Sequence, residues 1–328
     1  MEDLLQGYKQ HPPFLIEIEP TEGCNLGCSF CGLRGIREKG TKPWKMMTIS
    51  DAKIIARKIK ESNWSSRICF CGHGEPTINP DLLEIIKVFR KELPKNRMQL
   101  ICNGYGFKHG IFDIGDFLNQ LESIRFNDVV FDVYSENGDW TAIQDVLDKY
   151  DVKVIGKEGE GFNYDKNKGM RVALYPTNVD VKMLRIMDNH CGAASPQDYS
   201  EKVTSKRCEK PFRYLFIRWN GLVCLCCDDF RGQYRIGNVL DFDKIEDLWN
   251  HPAFQAVRIM LLSDFHRKMK PCYGCNYHSI RPGLLPDPSG KDKDKMPIVY
   301  NKKVESVIKN HYFKEGSTTI VKRKWETE

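Results

Sequence analysis

The chain has 328 residues, a net charge of +6, and 29% charged residues against 41% hydrophobic ones. This composition excludes a disordered chain and an integral membrane protein, and the length suggests about two domains. No uncharged run exceeds eleven residues, whereas a membrane-spanning helix needs about twenty. The acidic first residues lack the basic and apolar regions of a signal peptide, so we expect a cytoplasmic protein with no membrane partner.

The first half of the chain alternates strand-like and helix-like segments. Strands are predicted at residues 14–18, 67–71, 98–102, 128–134, 152–155, 170–175 and 181–187, and helices at 48–61, 79–93, 111–123 and 140–150. Thr48 or Ser50 is the expected N-cap of the first helix. Repeated βα units imply parallel strands with right-handed crossovers, in either a doubly wound sheet or a barrel.

The composition changes from about residue 190. Gly, Cys, Asp and Arg become frequent, helical periodicity fades, and six cysteines lie between Cys208 and Cys275. We interpret residues 1–190 as the first domain and residues 191–285 as a small second domain organised around metal rather than a large apolar core. Residues 286–328 are interpreted as a basic linker and tail.

Thirteen cysteines are too few for a disulfide scaffold and too many for chance in a reducing compartment, which favours metal binding. Cys24, Cys28 and Cys31 form a CxxxCxxC loop directly after the first predicted strand. Three thiolates this close can bind one face of an iron–sulfur cubane, which normally takes four Cys ligands, and leave one iron open. The alternatives are scattered core thiols or a zinc site, for which this spacing is unusual.

The same loop, with Phe30 before its third Cys, resembles the signature of the radical SAM superfamily. The resemblance implies an α/β fold with a partial (β/α)6 TIM-type barrel, whose functional site lies at the C-terminal ends of the strands. It also implies that Cys24, Cys28 and Cys31 hold a [4Fe–4S] cluster whose open iron chelates S-adenosylmethionine. One electron then cleaves this cofactor to methionine and a 5′-deoxyadenosyl radical, which abstracts a substrate hydrogen.

Other strand ends match the same family. The sequence after the second strand resembles the family's GGEP motif, which implies contacts with the methionine part of S-adenosylmethionine. The matching residues are Gly72, Gly74, Glu75 and Pro76. His73, between the glycines, is assigned no chemistry. Asn103 directly follows the next strand and Asp132 lies on the one after it. Both are further candidate cofactor contacts, Asp132 towards the ribose; ordinary strand-end turns are the alternative.

A second set of four cysteines resembles the SPASM family of C-terminal extensions. The set is Cys208, Cys226, Cys272 and Cys275. The first two fit the opening CX9–15GX4C pattern through Gly221, and no cysteine follows the final CxxC pair. The resemblance therefore implies the shorter, twitch arrangement with one auxiliary [4Fe–4S] cluster. A zinc site with the same ligands is the alternative, and Cys224 or Cys227 could replace Cys226.

The remaining cysteines carry weaker signals. Cys69, Cys71 and Cys102 lie on predicted parallel strands, where buried core thiols are expected. Cys191, at the predicted domain junction, is the candidate catalytic residue, as a hydrogen-atom donor to a product radical.

Together these resemblances predict a radical SAM enzyme that oxidises a small molecule or peptide, with the auxiliary cluster taking up the second electron. A redox-neutral isomerisation or epimerisation, also of a modified nucleotide or nucleic acid, and peptide cross-linking are the alternatives. The implied partner is an external one-electron reductant of the flavodoxin or ferredoxin type.

The alternative of another class is a non-catalytic metal-cluster protein that binds nucleic acid through its basic tail. Acidic residues are interleaved throughout residues 291–328 and would repel a polyanion, so we expect only weak DNA binding.

Overall fold

The computed structural model describes residues 11–28, 30–33, 44–134, 153–154, 169–177, 190–194 and 208–262, together with residues 272, 275 and 277. The elements of the first half are β1 (Leu15–Ile18), β2 (Thr21–Glu22), β3 (Lys45–Met46), α1 (Ile49–Glu61), β4 (Arg67–Phe70), α2 (Leu82–Glu92), β5 (Met98–Cys102), α3 (Tyr105–Lys108), α4 (Ile114–Ser123), β6 (Asp128–Tyr134), β7 (Lys153–Val154) and β8 (Arg171–Thr177). The later elements are α5 (Lys210–Arg213), β9 (Tyr214–Ile217), β10 (Leu222–Cys224), β11 (Arg235–Asn238), α6 (Ile245–Trp249) and α7 (Pro252–Leu262). None of the described helices is both long and apolar enough to span a membrane.

Nine strands form one open sheet, in the order β11-β10-β9-β1-β4-β5-β6-β8-β7. The seven strands from β9 to β7 are parallel, and β10 and β11 extend the sheet in antiparallel fashion. The predicted parallel α/β architecture is therefore confirmed. The short strand β7 lies outside β8, so the spatial order departs from the chain order at this edge.

The helices form where local capping and apolar spacing agree. Thr48 caps α1 by accepting a hydrogen bond from the Asp51 N–H at 3.1 Å, while Ile55 and Ile59 are fully buried. Helix α4 begins at Ile114 rather than at residue 111, because Asp113 caps it through the Asp116 N–H at 2.8 Å. The helix predicted at 140–150, the strand predicted at 181–187 and the basic tail lie outside the described residues.

The C-terminal segment shares the sheet and the core of the first half. β9 pairs in parallel with β1, so that Leu15 stands opposite Tyr214. Trp249 and Phe254 are fully buried and belong to the same apolar cluster as Ile16. The segment thus has an apolar core, contrary to expectation, because strand pairing and apolar burial attach it to the sheet; its organisation around metal stays a prediction. The domain boundaries at residues 190 and 285 stay a prediction.

A buried carboxylate at the start of β6 links this strand to the starts of both neighbouring strands, β5 and β8. Asp128 is 1% exposed and accepts hydrogen bonds from Arg97 Nε and Nη2, both at 2.9 Å, and from Arg171 Nε at 2.8 Å. We expect Asp128→Ala to lower the free energy of unfolding by about 3 kcal/mol, the low end for breaking a buried ion pair, because both arginines are partly solvated. Urea unfolding measures this difference.

The matched control is Glu84→Ala, which removes the exposed partner of Lys87 and should cost less than about 1 kcal/mol. Equal losses for the two variants would contradict the assigned role of Asp128.

Candidate active site

The cysteine loop after β1 is joined to the loop after β4 by backbone hydrogen bonds. Gly23 and Gly74 form an isolated parallel bridge. The Gly23 N–H donates to the His73 carbonyl at 3.1 Å, and the Glu75 N–H donates to the Gly23 carbonyl at 2.8 Å. The bridge fixes the residue directly before Cys24, so the motif of β4 determines where the cysteine loop begins.

A cavity of about 410 Å³ lies at the C-terminal edge of the parallel strands. Nine of the residues predicted to bind the first cluster or its cofactor line this cavity: Cys24, Cys28, Phe30, Cys31, Gly72, Gly74, Glu75, Asn103 and Asp132. The remaining one, Pro76, does not line it and begins the buried 3₁₀ turn Pro76–Ile78. The structure thus brings the two motifs and the strand ends to one place.

Both glycines of the motif are required by close packing. A Cβ on Gly74 would lie 2.1 Å from the Thr21 carbonyl oxygen and 2.6 Å from the Gly23 nitrogen. Gly72 has φ +133°, and its Cβ would lie 2.9 Å from the Glu19 Cβ. Neither position accepts a side chain without moving the backbone.

Glu75 ties the end of β4 to the end of β5. It is 2% exposed, its Oε1 accepts from the Thr77 N–H at 3.1 Å, and its Oε2 accepts from the Asn103 N–H at 2.6 Å. Burial raises the pKa of Glu75 to about 7. A cationic amino group bound in the cavity would favour its charged form, because an opposite charge lowers the pKa of a carboxyl group.

Asn103 reaches from β5 to the cysteine loop. Its Nδ2 donates to Cys24 Sγ at 3.5 Å and to Asn25 Oδ1 at 3.1 Å. Burial raises the pKa of Cys24 to about 12 and that of Cys28 to about 11. These thiols therefore need a bound metal's charge to become thiolates at neutral pH.

The donor set fits a [4Fe–4S] cluster with one open iron. Three thiols line one wall of the cavity, and three cysteines leave one of the cluster's four irons without a protein ligand. In the described part of the chain, no three His, Cys, Asp or Glu side chains lie close enough together to hold a single metal ion.

The four predicted auxiliary ligands lie near enough to one another to interact through charge. Burial raises the pKa of Cys208 and Cys272, and the neighbouring Cys226 and Cys275 raise it further. The two alternatives to Cys226 interact with other residues. Cys224 hydrogen-bonds to Arg218, and Cys227 hydrogen-bonds to Glu17. Cys226 therefore remains the predicted fourth ligand, and the auxiliary ligand set stays a prediction.

Cys191 lies at this auxiliary site rather than on the cavity lining. Its role as a hydrogen-atom donor stays a prediction. Among the strand cysteines, Cys69 is a buried core thiol as expected. Cys71 is only partly buried, and both Cys71 and Cys102 line the cavity, so the core-thiol interpretation is incomplete for them.

Sequence reasoning missed the aromatic contacts that join the two sites. His73 is buried, its ring stacks on Phe230 with 3.9 Å between centroids, and its Nε2 donates to the Cys227 carbonyl. Burial holds the pKa of His73 well below its usual value, so the ring is neutral. Phe230 also packs against His190 at 4.5 Å and covers Gly32, whose Cβ would lie 2.7 Å from its ring.

Of these three residues, only His73 had a sequence signal, because it stands where the GGEP motif has glycine. Phe230 and His190 belong to no motif that sequence reasoning could have used. Their contacts with Gly32 join segments about 200 and 160 residues apart in the chain.

Comparisons with known families identify both motifs. Residues 18–147 match the radical SAM superfamily, and residues 208–276 match SPASM, an iron–sulfur cluster-binding domain. The S-adenosyl-L-methionine-dependent 2-deoxy-scyllo-inosamine dehydrogenase of Niallia circulans is 21% identical, over 81% of this chain and 94% of its own length. A GTP 3′,8-cyclase of Pectobacterium atrosepticum is 24% identical, over 28% of this chain and 27% of its own.

Two solved structures share the fold. BtrN in complex with AdoMet and 2-DOIA matches with a TM-score of 0.62 at 19% identity, covering 83% of this chain and 96% of that chain. SeMet BtrN in an open conformation matches with a TM-score of 0.54 at 18% identity, covering 81% and 94%.

Proposed function

Since the chain belongs to the radical SAM superfamily and carries a C-terminal SPASM domain, we propose that it is a dehydrogenase that oxidises an alcohol of a small molecule. The observation that carries this proposal is a chain of contacts from the cavity to the loop that holds Cys226: the His73 ring stacks on Phe230, which lines the cavity, and His73 Nε2 donates to the Cys227 carbonyl. Similarity to a dehydrogenase over 94% of that relative's length supports it. A peptide alcohol is the other substrate class in keeping with this chemistry.

The residues of the cavity hold and orient the cofactor. When bound, S-adenosylmethionine and its [4Fe–4S] cluster supply a radical that abstracts a hydrogen atom from carbon. Cys24, Cys28 and Cys31 would hold the cluster, while Glu75 and Asn103 keep the strand ends and the cysteine loop in register. Phe30, Leu33 and Phe230 contribute apolar lining that keeps water from the reacting atoms.

The proposed oxidation requires an acceptor for one electron. The substrate alcohol loses a hydrogen atom from carbon to the deoxyadenosyl group, then a proton from oxygen to solvent and one electron, and becomes a ketone. The second site suits the role of acceptor, because its four thiols complete the coordination of a cubane and leave no iron open. An external flavodoxin- or ferredoxin-type protein would supply the electron that starts each cycle.

Removing the acceptor tests this function. We expect Cys272→Ala/Cys275→Ala to keep forming deoxyadenosine while ketone formation falls by at least about tenfold, a barrier increase of about 1.4 kcal/mol. Deoxyadenosine is measured by chromatography and the ketone by mass spectrometry. The first probe is 2-deoxy-scyllo-inosamine, the compound in the relative's name, followed by a panel of aminocyclitols and polyols.

Cys69→Ala is the control, since it removes a buried thiol of β4 that belongs to neither predicted ligand set. It should form both products at wild-type rates. Wild-type turnover by the Cys272/Cys275 variant would show that the auxiliary site takes no electron, and would favour a redox-neutral reaction.

A further inference from the structure

Glu19 directly follows β1 and is fully buried, although it belongs to neither cysteine motif. A carboxylate is costly to bury unless its oxygens are hydrogen-bonded. The Glu19 N–H donates to the carbonyl of Ile217, the last residue of β9, at 2.9 Å. The carbonyl of the preceding Ile18 accepts from the Cys71 N–H, directly after β4, at 3.0 Å. The side chain of Glu19 therefore begins where β1, β4 and β9 all end.

The two oxygens of this carboxylate bind two different segments of the chain. Glu19 Oε1 accepts from the His73 N–H, in the motif after β4, at 2.9 Å, and Oε2 accepts from the Trp219 N–H, in the turn after β9, at 3.2 Å. Arg218 Nε lies 3.5 Å from Oε2, and its positive charge favours the ionised carboxylate. One side chain thus bridges the motif at the cavity and the C-terminal segment.

A carboxylate of this length suits the bridge better than other polar side chains. Both partners are N–H donors, and a carboxylate offers an acceptor on each of its oxygens. A Gln amide offers one oxygen and would turn its NH₂ group towards the second donor. An Asp carboxylate, shorter by one methylene, would be drawn back from both donors. The bridge therefore depends on the identity and the length of the Glu19 side chain.

We propose that Glu19 is a positioning residue for the binding of S-adenosylmethionine, because its carboxylate holds residues 72–76 against the end of β9. This loop supplies two glycines and Glu75 to the lining of the cavity, so the bridge determines where that wall of the cavity stands. Through the Trp219 N–H, the C-terminal segment becomes part of the cofactor site as well as of the sheet. The inference needs the cofactor of the superfamily and not the alcohol oxidation of the proposed function.

The test compares matched substitutions in the reconstituted, full-length protein. Glu19→Gln removes one acceptor, and Glu19→Asp keeps the charge but withdraws the carboxylate from both donors. Glu22→Gln is the control, because it makes the same substitution in a neighbouring carboxylate. It breaks the ion pairs of Glu22 with Arg218 at 2.5 Å and with Lys45 at 3.0 Å, and it leaves the two acceptors of Glu19 in place.

Burial raises the pKa of Glu19 to about 7, so the measurements are made at about pH 8, where the carboxylate is mostly ionised. In both Glu19 variants, peptides that cover His73 and Trp219 should exchange their amide hydrogens faster, because these N–H groups lose their acceptor. The dissociation constant for S-adenosylmethionine, from isothermal titration, should rise at least about tenfold. Deoxyadenosine formation should show a matching rise in KM with kcat nearly unchanged. Iron content should stay at the wild-type value, and Glu22→Gln should match the wild type in every measurement.

Unchanged amide exchange and unchanged affinity in both Glu19 variants would overturn the proposal. An equal loss of affinity in Glu22→Gln would overturn it as well, because the effect would then belong to the charges around Arg218. If neither Glu19 variant folds, the residue serves the fold alone and the proposal is wrong. None of these measurements depends on ketone formation, so a failed oxidation would contradict the proposed function and not this inference.

Discussion

Replacing Cys24, Cys28 and Cys31 together by alanine is expected to abolish S-adenosylmethionine cleavage and to leave about four of about eight irons per chain. The reason is the separation of the thiols into two sets: three line the cavity with Glu75 and Asn103, and the four predicted auxiliary ligands do not line it. Anaerobic reconstitution followed by iron and sulfide analysis measures the first effect. Deoxyadenosine formation with dithionite measures the second.

The control for this variant is again Cys69→Ala, which should keep all of the iron and full cleavage. Retention of about eight irons by the triple variant would show that the loop cysteines are not the ligands of the first cluster. Continued cleavage of S-adenosylmethionine would contradict the site itself.

Gly74→Ala is expected to be nearly as damaging, although it adds a single methyl group. Its Cβ would lie 2.1 Å from the Thr21 carbonyl oxygen, so the bridge to Gly23 must open and the start of the cysteine loop must move. We expect a loss of about 1–3 kcal/mol in unfolding free energy, the cost typical of overpacking. The affinity for S-adenosylmethionine should fall at least about tenfold.

A matched control for this substitution lies in the same loop. Gly27 has no atom within 4 Å of the position that its Cβ would take, so Gly27→Ala should leave both quantities near wild-type values. Isothermal titration of reconstituted protein with S-adenosylmethionine, and urea unfolding, compare the two variants. Similar results for both would show that the bridge does not position the loop.

The first site was predictable because its signals are local. CxxxCxxC lies within eight residues, and the strand before it shows the apolar pattern of a buried strand. The bounds of β5 and β6 agree with the predicted ranges 98–102 and 128–134, since each is a short apolar run that ends in turn residues. Local periodicity was sufficient for these elements.

What could not be predicted depends on contacts between distant parts of the chain. Nothing in the apolar run of β9 specifies β1 as its partner, because period-2 patterns report burial and not the identity of the neighbouring strand. The hydrogen bond from the Gly32 N–H to His190 Nδ1 was likewise hidden, because the two residues are 158 positions apart in the chain.

The pairing of β1 with β9 has a consequence for synthesis of the protein. β1 is made about 200 residues before Tyr214–Ile217, which is one of its two neighbours in the sheet. Until that segment leaves the ribosome, β1 is an open edge of the nascent sheet, which invites pairing with other chains. The wall that Phe230 adds to the cysteine loop is made later still. The first cluster therefore meets its finished cavity only after Phe230 has left the ribosome, and a chain stopped before β9 would present an unprotected edge to its neighbours.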